Sequence, residues 1–220
     1  MSPAPALIFD LDGTLIDSLP DLAAAVNRML AAEGQPPMVP ARIRSFVGDG
    51  AKVLVARVMA ERGIDMARHD ALAGRLVADY TERSAEFTTV YPHVRETLGT
   101  LRSDGHRLGI CTNKPAAATA SVLDALGLAP FFDCVVAGDT LAERKPHPAP
   151  LRAACAALGG DCVFVGDSEV DAHTAEAAGM PFLLFSAGYL RVPRSEIRFA
   201  GDFDDFRDLP QFVARVRALT

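Results

Sequence analysis

Apolar residues in this chain come in short unbroken runs that end in polar or acidic residues: ALIFD (6–10), RLGICTN (107–113), CVVAGD (134–139), CVFVGDS (162–168) and PFLLFSAG (181–188). Runs of this length bounded by turn residues predict β-strands buried on both faces. The segments between them change period. PAAATASVLDALGL (115–128) places Ala118, Val122, Leu123 and Leu126 at helical spacing. The alanine-rich APLRAACAALGG (149–160) and EVDAHTAEAAGM (169–180) run into glycine, as helix C-termini do. Strands alternating with helices predict an α/β fold with a parallel sheet covered on both faces. Toward the C-terminus, EIRFAGDFDDFRDLPQFVARVRAL (196–219) predicts a short strand, an acidic turn and a closing helix that packs Phe212, Val213 and Val216.

One region departs from the alternation. Between Leu19 and Glu86 no buried strand is evident, only amphipathic helical pattern. DLAAAVNRMLAAEG (21–34) predicts a helix with Asp21 as N-cap, AKVLVARVMAERG (51–63) a second, and the stretch 65–87 a third. An insert of about 70 residues is the size of a small domain. The expected organisation is a core of residues 1–17 and 87–220 with a helical cap of residues 18–86, hinged near Asp17–Ser18 and around Phe87–Tyr91.

Composition narrows the classes. The 220 residues are 50% hydrophobic, enough for a sizeable core. A net charge of −6 argues against general affinity for nucleic acid or anionic membranes. No run approaches the roughly 20 apolar residues of a membrane span, and no basic stretch leads into an apolar signal core. The expectation is a cytoplasmic protein whose partner is a small molecule; oligomeric state is left open. Cys111, Cys134, Cys155 and Cys162 form no C-x-x-C pair, so reduced buried thiols are expected over a disulfide or zinc site. Asp202, Asp204 and Asp205 read as a solvated turn, since no ligand spacing accompanies them.

In a parallel sheet the polar residues after each strand gather at one carboxyl edge. That edge would hold Asp10 and Asp12, Thr112 and Asn113, Asp167 and Asp171, with Lys145 from ERKPHPAP nearby. Asp10 and Asp12 lie two residues apart and repel, so convergent acids call for a cation, and all-oxygen ligands suit Mg²⁺. Magnesium keeps open positions for a phosphate oxygen, and lysine, threonine and backbone N–H groups suit the equatorial oxygens of a phosphoryl group. One acid facing phosphorus can act as nucleophile, while its neighbour moves the proton. GDGAK (48–52) lacks the spacing and preceding strand of an ATP-binding loop.

DLDGTL, ICTN, KPHP and VGDSEVD, in this order, resemble the four motifs of the haloacid dehalogenase superfamily. The resemblance implies a Rossmann-like three-layer core and an aspartyl-phosphate intermediate. Carried onto this sequence it makes Asp10 the nucleophile and Asp12 the general acid/base, with the Asp12 backbone carbonyl on Mg²⁺. Thr112 would bind the phosphoryl group, assisted by Gly13 and Asn113. Lys145 would neutralise nucleophile and phosphate, Asp167 would ligate Mg²⁺, and Asp171 would support the metal directly or through water. A second acid at Asp12 resembles the phosphate-transferring members rather than the carbon–halogen hydrolases. Lys52 is the sole cap lysine, and nothing lowers its pKa toward the Schiff-base role of the phosphonate-cleaving branch.

FDLDGTLIDSLPDLAAAVNRML, IRSFVGDGAKVL and YPHVRETL resemble phosphoglycolate phosphatases in particular. This implies hydrolysis of 2-phosphoglycolate to glycolate and phosphate, with Gly48 and Gly50 reaching toward the substrate. Arg44 or Lys52 would meet a glycolate carboxylate, although surface charge on a helix is the commoner explanation. Alternatives are a phosphosugar phosphatase or mutase, a pyrophosphatase, and a non-catalytic phosphate-binding module. Mutases of this superfamily typically carry a cap histidine shortly after the first motif, where this chain reads DSLPDLAAA.

Overall fold

The computed structural model describes residues 4–83 and 85–217. The chain enters through β1 (Ala6–Phe9) and the short β2 (Ile16–Asp17). It then forms α1 (Leu19–Ala32), α2 (Pro40–Arg44), α3 (Ala51–Arg62) and α4 (His69–Glu82), and returns through β3 (Thr89–Val90). The remainder alternates: α5 (Val94–Ser103), β4 (Leu108–Cys111), α6 (Ala116–Ala125), β5 (Cys134–Val136), α7 (Ala149–Leu158) and β6 (Cys162–Gly166). It closes with α8 (Glu169–Ala178), β7 (Phe182–Phe185), β8 (Gly201–Phe203) and α9 (Leu209–Arg217).

The strands form a parallel sheet in the order β5-β4-β1-β6-β7-β8. Successive residues of each strand point to opposite faces. Leu7, Phe9, Ile110, Val165 and Phe185 therefore pack with α5, α6 and α9, while Ile8, Phe164 and Leu184 pack with α7 and α8. These are the three layers expected. Each fully buried leucine or phenylalanine contributes roughly 1.5–3 kcal/mol.

The helical insert has its own core, in which Val26, Leu30, Ile43, Val55, Met59 and Leu76 meet, joined by Ala118 from α6. Its two connections pair as an antiparallel ribbon, Ile16 opposite Val90 and Asp17 opposite Thr89. Asp21 is not the N-cap. The helix starts at Leu19 with Ser18 in the capping position, because Pro20, which has no N–H to leave unpaired, fits the first turn. The buried Asp21 carboxylate instead accepts the backbone N–H of Phe87 and Thr88 and the Thr88 hydroxyl (2.6 Å), tying the outgoing connection to the returning one.

The cysteine expectation is corrected for one pair. Cys155 and Cys162 are joined by a disulfide with Cα atoms 5.9 Å apart, while Cys111 and Cys134 are free. Gly159 and Gly160, both at positive φ, reverse the chain between α7 and β6 and bring the two thiols together. Asp202 pairs with Arg194 and Asp205 with Arg207. Among the described residues, no helix is long and apolar enough to cross a membrane.

Candidate active site

Register builds the site. Phe9 is paired with Ile110 on one side and Val165 on the other, so Asp10, Thr112 and Asp167 emerge at the same edge of the sheet. Backbone bonds from Asp10 N–H to the Val165 carbonyl and from Thr112 N–H to the Val136 carbonyl, each 2.9 Å, carry the ladder to the rim. β1 lies at the centre of the sheet, where the chain turns from strands on one side to strands on the other, and such switch points open a crevice.

Lys145 comes from the loop between β5 and α7, and the Asn113 side chain holds that loop. Asn113 Nδ2 donates to the Lys145 carbonyl (2.9 Å), and Asn113 Oδ1 accepts from Lys145 N–H (3.0 Å). Lys145 Nζ then lies 2.8 Å from Asp10 Oδ1 and 2.7 Å from Asp171 Oδ1, all three side chains being buried or nearly so. Burial opposes charge on this lysine, but Asp10 and Asp171 outweigh it and hold the ammonium above the usual range. Burial also pushes the Asp10 carboxyl up to about 6, against the pull of Lys145. Asp167 is raised by burial and then by the Asp171 and Asp10 charges.

Asp167 is fixed by the Thr14 hydroxyl, which donates to Oδ1 (2.7 Å), and by Tyr189 N–H, which donates to Oδ2 (2.6 Å). Gly13, at φ +89°, lets this approach happen, since a Cβ there would fall on Asp167 Oδ2 and 2.7 Å from the Tyr189 ring. Asp171 lies in the first turn of α8. Its Oδ2 accepts from Ser168 Oγ (2.6 Å) and from the backbone of Ser168 and Asp167, a reciprocal cap that locks the loop carrying Asp167. Asp10, Asp167 and Asp171 each present an oxygen within 4.8 Å of the others.

The Asp12 carboxylate turns away from this group. It faces Lys114, whose Nζ lies 3.0 and 3.2 Å from its two oxygens and 2.7 Å from the Tyr80 hydroxyl of α4. Over these residues lies a cavity of about 70 Å³, walled by Asp10, Asp12, Thr112 and Lys114 below and by Leu54, Leu76 and Tyr80 of the insert above. The glycine loop forms part of that wall. Asn113 Nδ2 reaches the Gly48 carbonyl (3.1 Å), and a Cβ on Gly50 would meet the Asn113 carbonyl at 3.4 Å.

Arg44 and Lys52, the cap cations expected at a glycolate carboxylate, do not line this cavity. Lys52 is exposed and pairs with Asp70, and Arg44 donates to the Gly188 carbonyl above the Tyr189 ring. Lys114, Tyr80, Thr14 and Tyr189 also belong to the site, and no motif in the sequence assigns them a role. Two of them adjoin motif residues: Lys114 follows Asn113, and Thr14 follows Gly13. The loops beyond a strand end share the edge as whole segments, which is the signal that identifies them.

The family model of haloacid dehalogenase-like hydrolases matches residues 4–179. A phosphoglycolate phosphatase of Cereibacter sphaeroides (strain ATCC 17029 / ATH 2.4.9) is 48% identical over 217 residues, covering 97% of this chain and 100% of its own length. One from Rhodospirillum rubrum is 44% identical over 218 residues, covering 94% of this chain and 90% of its own length. A solved structure described as a predicted phosphoglycolate phosphatase from Haemophilus somnus 129pt superposes with a TM-score of 0.88 at 32% identity, covering 96% of this chain and 98% of that one. A parallel sheet delivering an acid from its central first strand, a helical insert after that strand, and these likenesses across nearly the whole chain have one reading: the chain belongs to the haloacid dehalogenase-like hydrolases.

Proposed function

We propose that this chain is a phosphomonoesterase that transfers the phosphoryl group of a small anionic ester to Asp10 and then to water, with 2-phosphoglycolate the substrate that fits best. The observation that carries this reading is the convergence of Asp10, Thr112, Lys145 and Asp167 at one sheet edge beneath a small cavity. Residues 1–17 and 87–220 supply the chemistry in this account, and residues 18–86 act as the cap. The relatives named phosphoglycolate phosphatases support the choice of substrate.

The residues fit a divalent cation. Three buried carboxylates converge with only Lys145 among them, all donors are oxygen, and burial leaves both Asp10 and Asp167 with raised pKa values that an adjacent dication would lower. Asp10, Asp167 and the Asp12 carbonyl would hold Mg²⁺, which supplies charge to offset the acids and to polarise the phosphoryl oxygens. Both Asp171 oxygens are engaged by Lys145 and Ser168, which suits a supporting role.

In the reaction Asp10 attacks phosphorus, the bond from phosphorus to the ester oxygen breaks, and Asp12 gives that oxygen a proton. Asp12 then takes a proton from the water that attacks the phospho-aspartate, releasing phosphate and restoring Asp10. Thr112 faces the equatorial oxygens and Lys145, held by Asn113, neutralises their charge, while Gly13 lets Asp167 approach. The cap excludes bulk water, with Gly48 and Gly50 set against Asn113 of the floor.

The test is a comparison of kcat/KM for 2-phosphoglycolate, hexose phosphates and pyrophosphate, with Mg²⁺ and with EDTA. The expected result is metal-dependent phosphate release with 2-phosphoglycolate preferred. Metal-independent hydrolysis, or a better pyrophosphate or hexose phosphate, would contradict it.

A further inference from the structure

The cavity wall holds a single cation among the described residues, Lys114, and the mechanism above gives it no role. Its ammonium is buried, with the side chain only 4% exposed, yet it adjoins the cavity. It stands beside Asp12, the group that faces the leaving oxygen, and so on the side of the site where the leaving group departs. Stability does not account for it: a buried ion pair contributes little compared with apolar packing, and the neighbouring wall of Leu22, Leu54, Leu76 and Val77 is apolar. The Tyr80 hydroxyl holds the ammonium from the cap side at 2.7 Å, so cap and floor locate it together. It contacts both oxygens of Asp12, so one of those contacts can pass to another acceptor without leaving Asp12 unpaired.

Resting on the phosphomonoesterase reading, we propose that Lys114, positioned by Tyr80, is the subsite that binds a carboxylate on the leaving side of the substrate. Lys114 is the one cation in this wall among the described residues, and an unpaired buried carboxylate is strongly disfavoured. A leaving group lacking that charge leaves the ammonium to Asp12 alone and gains no contact. The subsite therefore separates a phospho-acid from an alkyl phosphate of the same length whose leaving group carries no charge.

The test compares 2-phosphoglycolate with ethyl phosphate, which replaces the carboxylate by a methyl group. In the wild-type protein kcat/KM should favour 2-phosphoglycolate by at least about 100-fold. In Lys114→Met, which keeps the length of the stem, that ratio should fall to within about 10-fold, mainly through a raised KM for 2-phosphoglycolate. Tyr80→Phe keeps the ammonium but frees it, and should lower the ratio by about 3- to 10-fold. This second variant decides the matter should Lys114→Met fail to fold by thermal melting. Equal use of the two esters by the wild-type protein would overturn the proposal, as would a Lys114→Met variant that slows both esters by the same factor. Failure to release phosphate from either ester or from a generic aryl phosphate would instead remove the phosphomonoesterase reading on which it rests.

Discussion

The sheet edge and the cap wall that faces it are made from different materials. At the edge, Asp10, Lys145, Asp167 and Asp171 are buried and each is tied to another charged or hydrogen-bonding group by a short contact. The cap wall is Leu22, Val47, Leu54, Leu76 and Val77 around two glycines, with Tyr80 as its polar member. On the proposed reading the edge acts on phosphorus, and every group there depends on the charge of its neighbours. On the same reading the helical insert selects what is admitted, since its contacts are shape and one anchored hydroxyl. Damage to the edge should therefore abolish turnover for all esters, whereas damage to the cap and its attachments should alter affinity.

The largest effect is expected from Asp10→Asn, which should lower kcat by at least about 10⁴-fold. The fold should survive, and the pH dependence should show why. Burial raises the Asp10 carboxyl to about 6, so its charged form opposes folding. That penalty is absent below the unfolded value near 4 and complete above about 6. In metal-free protein the Tm of Asp10→Asn should exceed that of wild type by more at pH 8 than at pH 5. A difference that shrinks with rising pH would show that Asp10 is not strained by burial.

Lys145→Met comes next. It strands Asp10 and Asp171 without their shared cation and should cost about 3–5 kcal/mol by denaturant unfolding, together with most of the activity. A Tm equal to wild type would break the picture of a mutually dependent edge.

Attachments of the cap should matter less. Asp21→Asn weakens the clamp on Phe87 and Thr88 and should cost about 1–3 kcal/mol, with local hydrogen exchange rising at those two amides. Smallest is Arg191→Gln. Arg191 joins Asp49 of the glycine loop to Glu169 of α8 at a partly exposed site, so about 1 kcal/mol or less is expected, read as a raised KM with kcat retained. A kcat loss as large as that of Lys145→Met would erase the distinction between edge and cap.

How much the sequence revealed follows the same division. Asp10, Thr112, Asp167 and Lys145 were legible because buried parallel strands read as continuous apolar runs and their ends must share one edge. The insert was legible from its change of period. Lys114 was not, since a lysine beside a helix start looks like any solvent-facing charge until Tyr80, 34 residues earlier, is seen against it. Asp21 carried the residue type of a cap but faces Thr88, 67 residues later in the chain. The Cys155–Cys162 link depends on the reversal at Gly159–Gly160 and has no spacing signature of its own. Pairings that depend on how separate segments approach each other are what local pattern does not contain.

In the proposed reaction Asp10 receives the phosphoryl group. Rapid acid quench of the wild-type protein turning over 2-phosphoglycolate labelled at phosphorus, followed by peptide mapping, tests it most directly. Label is expected on the peptide that contains Asp10 and none in Asp10→Asn. Full turnover with no labelled protein, or label on a peptide lacking Asp10, would contradict it.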